Sequence, residues 1–161
     1  MGAPRRDPSR PGARPTVRDA RTADRDALRE VFRRSSLANE GDRPVLLQHP
    51  DALELPGPRD GDRVRVAEVD EAVVGFATTR DLGHASELVD LFVDPSWMRS
   101  GIGHHLVEDA AAHAVRCGHG RLEVTANPHA LAFYEREGFV TDGDVDTRFG
   151  PAPRMHRARG A

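Results

Sequence analysis

Residues 91–106 read Leu91-Phe92-Val93-Asp94-Pro95-Ser96-Trp97-Met98-Arg99-Ser100-Gly101-Ile102-Gly103-His104-His105-Leu106, and the rest of the chain is interpreted around them. The run from Leu88 to Val93 is apolar and β-branched, which predicts a buried strand. Pro95 ends that strand, because proline cannot donate to a strand ladder. Ser100-Gly101-Ile102-Gly103 then begins a helix that we expect to run to about Cys117. The apolar face of this helix consists of Leu106, Val107, Ala110, Ala111 and Ala114.

The loop between this strand and this helix contains two glycines, Gly101 and Gly103. The first N–H groups of a helix lack an intrahelical partner and lie at the positive end of its dipole, so they suit a phosphate or pyrophosphate. Glycine has no Cβ, which lets such a group approach the backbone. The alternative is an ordinary turn that needs glycine for its dihedral angles. Leu106 stands where a dinucleotide fingerprint has its third glycine, and the chain has no lysine for a P-loop.

Two segments together resemble the GCN5-related N-acetyltransferases. Leu91-x-Val93-x-Pro95 followed by Met98-Arg99-Ser100-Gly101-Ile102-Gly103 is similar to motif A of that family, whose loop Gln/Arg-x-x-Gly-x-Gly/Ala holds the pyrophosphate of acetyl-CoA. The segment similar to motif B reads Asn127-Pro128-His129-Ala130-Leu131-Ala132-Phe133-Tyr134-Glu135-Arg136-Glu137-Gly138-Phe139. Both motifs occur in the family's order and at its usual separation. Met98 departs from the family's Gln or Arg, at a position that works largely through its backbone N–H.

The resemblance extends loosely over residues 15 to 158 and implies a fold in which a parallel pair of strands splays apart to admit acetyl-CoA as a co-substrate. The resemblance implies that the backbone around Phe92 and Val93 holds the thioester and pantetheine. It implies that the N–H groups of residues 98–104 hold the pyrophosphate. The residues that the resemblance assigns to the cofactor are Leu91, Phe92, Val93, Met98, Arg99, Ser100, Gly101, Ile102, Gly103, His104, Asn127 and Tyr134.

Tyr134 is the only tyrosine in the chain. In the family this tyrosine lies near the cofactor sulfur and often serves as general acid, and a phenol remains a proton donor at neutral pH. The alternative is a half-buried tyrosine that packs a short helix. Asn127 likewise has two interpretations, a hydrogen bond to the pantetheine arm or an N-cap before Pro128.

Glu87 is the candidate general base, because many family members place a glutamate at the start of the motif A strand that activates the amine through water. Alternation along the strand would put Glu87, Val89 and Leu91 on one face. The alternative is a solvated charge at a strand end. Weaker candidates for the same role are Glu123, Asp90 and His84.

The composition describes an ordinary globular protein of 161 residues, with 38% hydrophobic and 30% charged residues. The net charge of −3 does not suggest a nucleic-acid partner. There is no apolar run of membrane-spanning length, and one cysteine cannot form an intrachain disulfide, so the cytoplasm is the default location. Cys117 is interpreted as a packing residue.

Residues 1–14 form a Pro/Arg-rich segment that we expect to be disordered, which leaves one domain over residues 15–161. Thr22 is the predicted N-cap of a helix from Ala23 to about Ser36. Three strands then form a meander, with Asp70-Glu71 as a tight turn. After motif B, Phe139–Thr141 and 152–157 are predicted to close the sheet as a hairpin around a Gly/Asp-rich loop.

The resulting order is β-α-α-β-β-β-α-β-α-β-β, an α+β fold with a mixed, mostly antiparallel sheet and helices on both faces. The strands before and after the central helix are expected to be parallel neighbours. This order matches the acetyltransferase fold that the resemblance implies.

A metal site is not expected. His105, Asp109 and His113 recur at helical spacing but lack a motif and a fourth ligand, and such a stripe is usually a solvated face. The acceptor is not identified by the sequence. Arg43, Arg59 and Arg148 are candidate contacts for an acidic acceptor.

The resulting hypothesis is an acetyl-CoA-dependent N-acetyltransferase that acts on a small-molecule or peptide primary amine by direct attack in a ternary complex. It would be a monomer or homodimer without nucleic-acid or membrane partners. The competing hypothesis is a catalytically inactive acyl-CoA-binding sensor or interaction module of the same fold. A nucleotide-binding α/β domain without CoA is disfavoured by the glycine pattern.

Overall fold

The computed structural model describes residues 14–161, so that the predicted tail, apart from Arg14, lies outside the described residues. The described part contains seven strands and four α-helices in the predicted order. These are β1 Thr16–Asp19, α1 Arg25–Leu37, α2 Arg43–Gln48, β2 Arg63–Val69, β3 Ala72–Asp81, β4 Ser86–Val93, α3 Ile102–Arg116, β5 Arg121–Thr125, α4 Leu131–Arg136, β6 Val140–Thr147 and β7 Gly150–Ala158. Within residues 14–161, no helix is both long enough and apolar enough to span a membrane.

All seven strands form one sheet in the order β1-β2-β3-β4-β5-β7-β6. Every neighbouring pair is antiparallel except β4 and β5, which confirms the mixed sheet and the parallel pair. One face of the sheet, here called the α3 face, is covered by the buried side of α3 and by α4. The opposite face, here called the α1 face, packs Val31 of α1 against Val66 and Phe76. Helices therefore cover both faces, as predicted.

The parallel pairing of β4 with β5 is short. It joins Ser86 to Leu122, Glu87 to Glu123 and Leu88 to Val124, and the recorded pairing ends there although β4 continues to Val93. β4 stays paired with β3 along this length, up to the pair of Gly75 with Val93. The pairing of the two parallel strands therefore ends at Leu88, the third residue of β4, which agrees with the splay that the resemblance implied.

A β-bulge lies at the point of separation. Leu88 faces Thr79 and Asp90 faces Thr78, so Val89 is an extra residue in β4. A bulge shifts the alternation of side chains by one position. Leu88 and Leu91 consequently pack on the same α3 face. The prediction that Glu87, Val89 and Leu91 share one face is therefore wrong.

Two other predictions about local structure are also wrong. Thr22 is not the N-cap of a helix at Ala23: a 3-10 turn, Thr22–Asp24, precedes α1, and the Asp24 carboxylate accepts the N–H of Arg21 at 2.7 Å. The Gly/Asp-rich loop of the closing hairpin is strand, because β6 and β7 pair from Val140 to the tight turn at 148–149. Asp and Gly are unfavourable in strands in general, but β6 is an exposed edge strand, where charged residues are common.

Candidate active site

The loop that joins β4 to α3 has the form of an anion site. Arg99 and Gly101 both have positive φ angles, of 61° and 86°. The first backbone bond into α3 is donated by the N–H of His105 to the carbonyl of Gly101 at 3.0 Å. The N–H groups of Ile102, Gly103 and His104 precede that bond and therefore have no acceptor within the helix. These groups carry the positive end of the dipole of a 15-residue helix.

Glycine is required at the two positions of this loop for different structural reasons. A Cβ on Gly101 would meet nothing within 4 Å, so that position needs glycine for its φ angle and leaves open space above the backbone. A Cβ on Gly103 would lie 3.0 Å from Cζ of Phe133 on α4. Gly103 therefore allows α4 to pack against the start of α3, and the space that we expected a phosphate to use there is filled by Phe133.

A buried carboxylate fixes the entry to the loop. Asp94 is fully buried, its side chain accepts the N–H of Ser96 at 3.0 Å, and Nη1 of Arg34 on α1 lies 2.9 Å from its second oxygen. The Ser100 hydroxyl donates to the carbonyl of Trp97 in the following turn. Sequence reasoning did not single out Asp94, although Asp before Pro-Ser is a common signal for a side chain that caps a turn.

Tyr134 lies on the α3 face, where α4 packs beside the start of α3. Its side chain is buried, and its ring makes edge contacts with Phe133 at 5.1 Å and Phe139 at 5.3 Å between ring centroids. Burial raises the pKa of the Tyr134 phenol, which keeps the hydroxyl protonated at neutral pH. Tyr134 therefore packs in the core, more deeply than the half-buried alternative, and the same burial preserves it as a proton donor.

Asn127 follows β5 and caps the turn that leads to α4. Its Oδ1 accepts the N–H of His129 at 2.9 Å, which confirms the N-cap interpretation. Asn127 is exposed, so its amide NH₂ remains available for a second role.

The α1 face carries carboxylates around the point where β4 and β5 separate. Glu87 accepts from Nη1 of Arg154 at 2.6 Å, and Arg154 also donates to the Thr125 hydroxyl at 2.9 Å. Glu123, the partner of Glu87 across the parallel pair, lies 3.5 Å from Nη2 of Arg154 and 3.5 Å from His84. Arg154 was not singled out from the sequence, because nothing local links it to a glutamate 67 positions earlier.

Asp90 occupies the β4 position just beyond the bulge. It faces Thr78 in β3, and its carboxylate accepts a hydrogen bond from the Thr78 side chain. Burial raises the pKa of Asp90 above the ordinary value for an aspartate. Arg80, two positions further along β3, is bound in a bidentate pair by Asp62 at 2.9 and 2.8 Å.

The predicted histidine stripe on α3 is not simply a solvated face. Asp109 accepts from Arg63 at 2.9 Å and from Arg65 at 3.1 and 3.2 Å, and these hydrogen bonds hold its pKa below the usual value despite partial burial. The Asp109 carboxylate, which a metal ion would need as a ligand, is therefore already hydrogen-bonded to two guanidinium groups.

His104, Glu108 and Glu137 also place ligand atoms within 4.8 Å of one another. Within that group, His104 pairs with Glu137 at 2.8 Å and Glu108 pairs with Arg157 at 2.8 Å. The two carboxylates thus already have charged or hydrogen-bonding partners. Cys117 is exposed at the end of α3, with its sulfur 3.4 Å from Nε2 of His113, so it is not the packing residue that we expected.

Two of the three candidate acceptor arginines, Arg148 and Arg43, have other side-chain partners. Arg148, in the β6–β7 turn, binds Asp51 at 2.7 and 3.2 Å and lies over the ring of Phe149. Arg43 donates to the carbonyl of Leu37 at 3.4 Å. The pairing of Arg148 connects the closing hairpin to the segment after α2.

Comparison with known proteins identifies the family. A protein-family model described as an acetyltransferase (GNAT) domain matches residues 52–150, which is more than half of the chain. The chain therefore belongs to the GNAT acetyltransferases and is an N-acetyltransferase of that type. A search among curated proteins found no match.

Solved structures show the same fold. The PaiA N-acetyltransferase of Thermoplasma acidophilum in complex with coenzyme A is 19% identical, with a TM-score of 0.69 over 90% of this chain and 99% of that one. The ribosomal-protein-S18-alanine N-acetyltransferase of Escherichia coli is 20% identical, with a TM-score of 0.69 over 92% and 96%. YncA of Salmonella typhimurium with its cofactor acetyl-CoA is 20% identical, with a TM-score of 0.66 over 92% and 95%.

Proposed function

We propose that the protein transfers the acetyl group of acetyl-CoA to a primary amine by direct attack within a ternary complex. The observation that carries this proposal is the separation of β4 from β5 after Leu88 and Val124, beside the uncapped N-terminus of α3. When bound, acetyl-CoA supplies an acetyl group that is activated as a thioester. Beyond Leu88 the backbone groups of β4 that point away from β3 have no strand partner in β5, and the loop offers N–H donors for a pyrophosphate.

The described residues fit this co-substrate. The space beside Gly101 is open, and the N–H groups of Ile102, Gly103 and His104 have no acceptor within α3. The side chain of Met98 is exposed, and its backbone N–H donates to the carbonyl of Pro95 at 3.4 Å, so the donors offered to a pyrophosphate are those at the start of α3. Arg99 and Ser100 shape the turn, and the backbone of Leu91, Phe92 and Val93 lines the gap. Asn127 stands at the end of β5 with its amide NH₂ free to meet the pantetheine arm.

Tyr134 is the proposed proton donor to the thiolate that leaves. It lies on the α3 face, its hydroxyl is kept protonated by burial, and its ring is held by Phe133 and Phe139. A donor at this point stabilises the leaving sulfur as the carbon–sulfur bond breaks.

The acceptor amine is proposed to approach from the α1 face, opposite Tyr134. The carboxylates of Glu87 and Asp90 lie on that face and are the two candidates on β4 for the group that takes its proton. The E. coli relative acts on a ribosomal-protein alanine, so a peptide N-terminus is one acceptor class to test, beside small amines. The cytoplasm stays the predicted compartment.

The test is acetyl transfer from acetyl-CoA to a panel made of spermidine, phenylethylamine and a short peptide with a free N-terminal alanine. Release of the CoA thiol is followed by absorbance, and the acetylated amine is identified by mass. We expect amine-dependent thiol release with at least one panel member. Binding of acetyl-CoA without transfer to any amine would contradict the proposed transfer reaction and favour the inactive binding module.

A further inference from the structure

Glu87 and Asp90 lie on the same face of β4, although they are three positions apart. Simple alternation would put them on opposite faces. Their partners in β3 show that the extra residue Val89 puts both on one face. Glu87 faces Arg80 and Asp90 faces Thr78. The two β3 partners are two positions apart and therefore share a face. The bulge therefore places two carboxylates at the edge of the gap, on the side away from Tyr134.

The two carboxylates have different surroundings. Glu87 accepts a charge-assisted hydrogen bond from Arg154 at 2.6 Å, with the guanidinium also held by the Thr125 hydroxyl. Glu87 thus acts in the structure as the group that fixes Arg154, and with it β7, beside the gap.

Asp90 has no comparable cation. Among the described residues, its side-chain hydrogen-bond donor is the neutral Thr78 hydroxyl, and the guanidinium of Arg80, whose charge acts on Asp90, is bound on two nitrogens by Asp62. Burial raises the pKa of Asp90, which makes it a better proton acceptor than an exposed aspartate. It also stands further along β4 than Glu87, on the part of the strand that β5 no longer covers.

We propose that Asp90, and not Glu87, is the catalytic residue that takes the proton from the acceptor, and that the acceptor arrives on the α1 face as a cationic amine. The proposal rests on the acetyl transfer proposed above. An ammonium group would give Asp90 a hydrogen-bonded cation of its own, since the guanidinium of Arg80 is bound by Asp62.

The ammonium gives one proton to the Asp90 carboxylate, and the freed lone pair on nitrogen forms a bond to the thioester carbonyl carbon. The carbonyl electrons move to oxygen and return as the carbon–sulfur bond breaks, so the sulfur leaves with its electron pair. Tyr134 protonates that sulfur, and the second proton of the nitrogen restores Tyr134. The products are the amide, the CoA thiol and one proton, which Asp90 passes to water.

The rates of acetyl transfer to two small amines distinguish a proton acceptor from a residue that only shapes the site. Methylamine is almost entirely an ammonium ion at neutral pH, whereas hydroxylamine is of similar size and is already uncharged. We expect Asp90→Asn to slow acetyl transfer to methylamine about 100-fold and transfer to hydroxylamine about twofold or less. Glu87→Gln, which removes the partner of Arg154, is expected to slow both amines by one common factor.

A folding control accompanies the activities. A partly buried aspartate with a raised pKa costs stability when it is ionised, so Asp90→Asn should unfold at the same or a higher temperature than the wild type at neutral pH. Loss of activity would then not come from loss of fold.

Three results would overturn the proposal. Asp90→Asn could slow both amines equally, Glu87→Gln could show the selective loss instead, or the wild type could bind acetyl-CoA and acetylate neither amine. Failure to bind acetyl-CoA at all would instead count against the proposed function, and a calorimetric titration of the wild type distinguishes that case.

Discussion

Gly101 is the residue whose replacement tests the anion loop with the least disturbance. Its φ of 86° costs any other residue about 1–2 kcal/mol of backbone strain, but a Cβ there meets no atom within 4 Å. Gly118, at the end of α3, has a φ of 78° and equally open space. It is therefore a matched control for the strain alone.

We expect Gly101→Ala and Gly118→Ala to lower the melting temperature by similar amounts, and Gly101→Ala alone to weaken acetyl-CoA binding about tenfold or more. Thermal unfolding and calorimetric titration of both variants check this. Equal acetyl-CoA affinity in the two variants would remove Gly101 from the cofactor site.

Tyr134 is a second residue at which one substitution distinguishes catalysis from packing. Tyr134→Phe keeps the ring that packs between Phe133 and Phe139 and removes only the hydroxyl. We expect kcat to fall about 100-fold with the KM for acetyl-CoA nearly unchanged, because the phenol acts on the leaving thiolate rather than in binding. Steady-state kinetics with the fastest amine decide this, and an unchanged kcat would leave Tyr134 as a packing residue.

At the scale of elements, an ion pair joins α1 to the loop before α3. Asp94 is fully buried, and Arg34 of α1 is the cation beside it. Arg34→Gln would leave that carboxylate without its charge partner, which we expect to cost about 1–3 kcal/mol. Arg33→Gln, on the exposed side of the same helix, should change stability by less than about 0.5 kcal/mol. Chemical denaturation measures both variants, and equal stabilities would show that Arg34 does not hold the loop.

The elements are also where sequence reasoning succeeds and fails most clearly. The 3.6-residue spacing of Leu106, Ala110 and Ala114 predicts α3, and Asp70-Glu71 predicts a turn that has positive φ angles at both residues. The bulge at Val89 could not be predicted, because Glu87-Leu88-Val89-Asp90 is compatible with either alternation. The pairing of Glu87 with Arg154 depends on two strands that are neighbours only in the folded sheet. The order of the elements can thus be predicted from local sequence patterns, whereas the environment of each carboxylate depends on contacts between distant segments.

For the whole molecule, buried or partly buried carboxylate pairs determine the response to acid. Asp24, Asp62 and Asp109 have pKa values below the usual range, because Arg18, Arg80 and the pair Arg63 and Arg65 donate hydrogen bonds to them. A carboxylate with a lowered folded pKa stabilises the protein above its unfolded pKa of about 3.9, and this stabilisation is lost as the pH falls through the lower folded value.

We therefore expect the melting temperature to fall steeply below about pH 4. Asp62→Asn should lower stability at pH 7 and flatten its pH dependence in that acid range, because Arg80 then has no carboxylate to lose. Thermal scans between pH 7 and pH 3 check both expectations. A main loss of stability well above pH 5 would contradict them, since these carboxylates are ionised there.

The central claim, that this fold binds acetyl-CoA in the gap between β4 and β5, is tested most directly by calorimetric titration with acetyl-CoA and, in parallel, with NAD and ATP. The account predicts saturable binding of one acetyl-CoA per chain and no saturable binding of the two nucleotides. Absence of acetyl-CoA binding, or tighter binding of NAD or ATP, would contradict it.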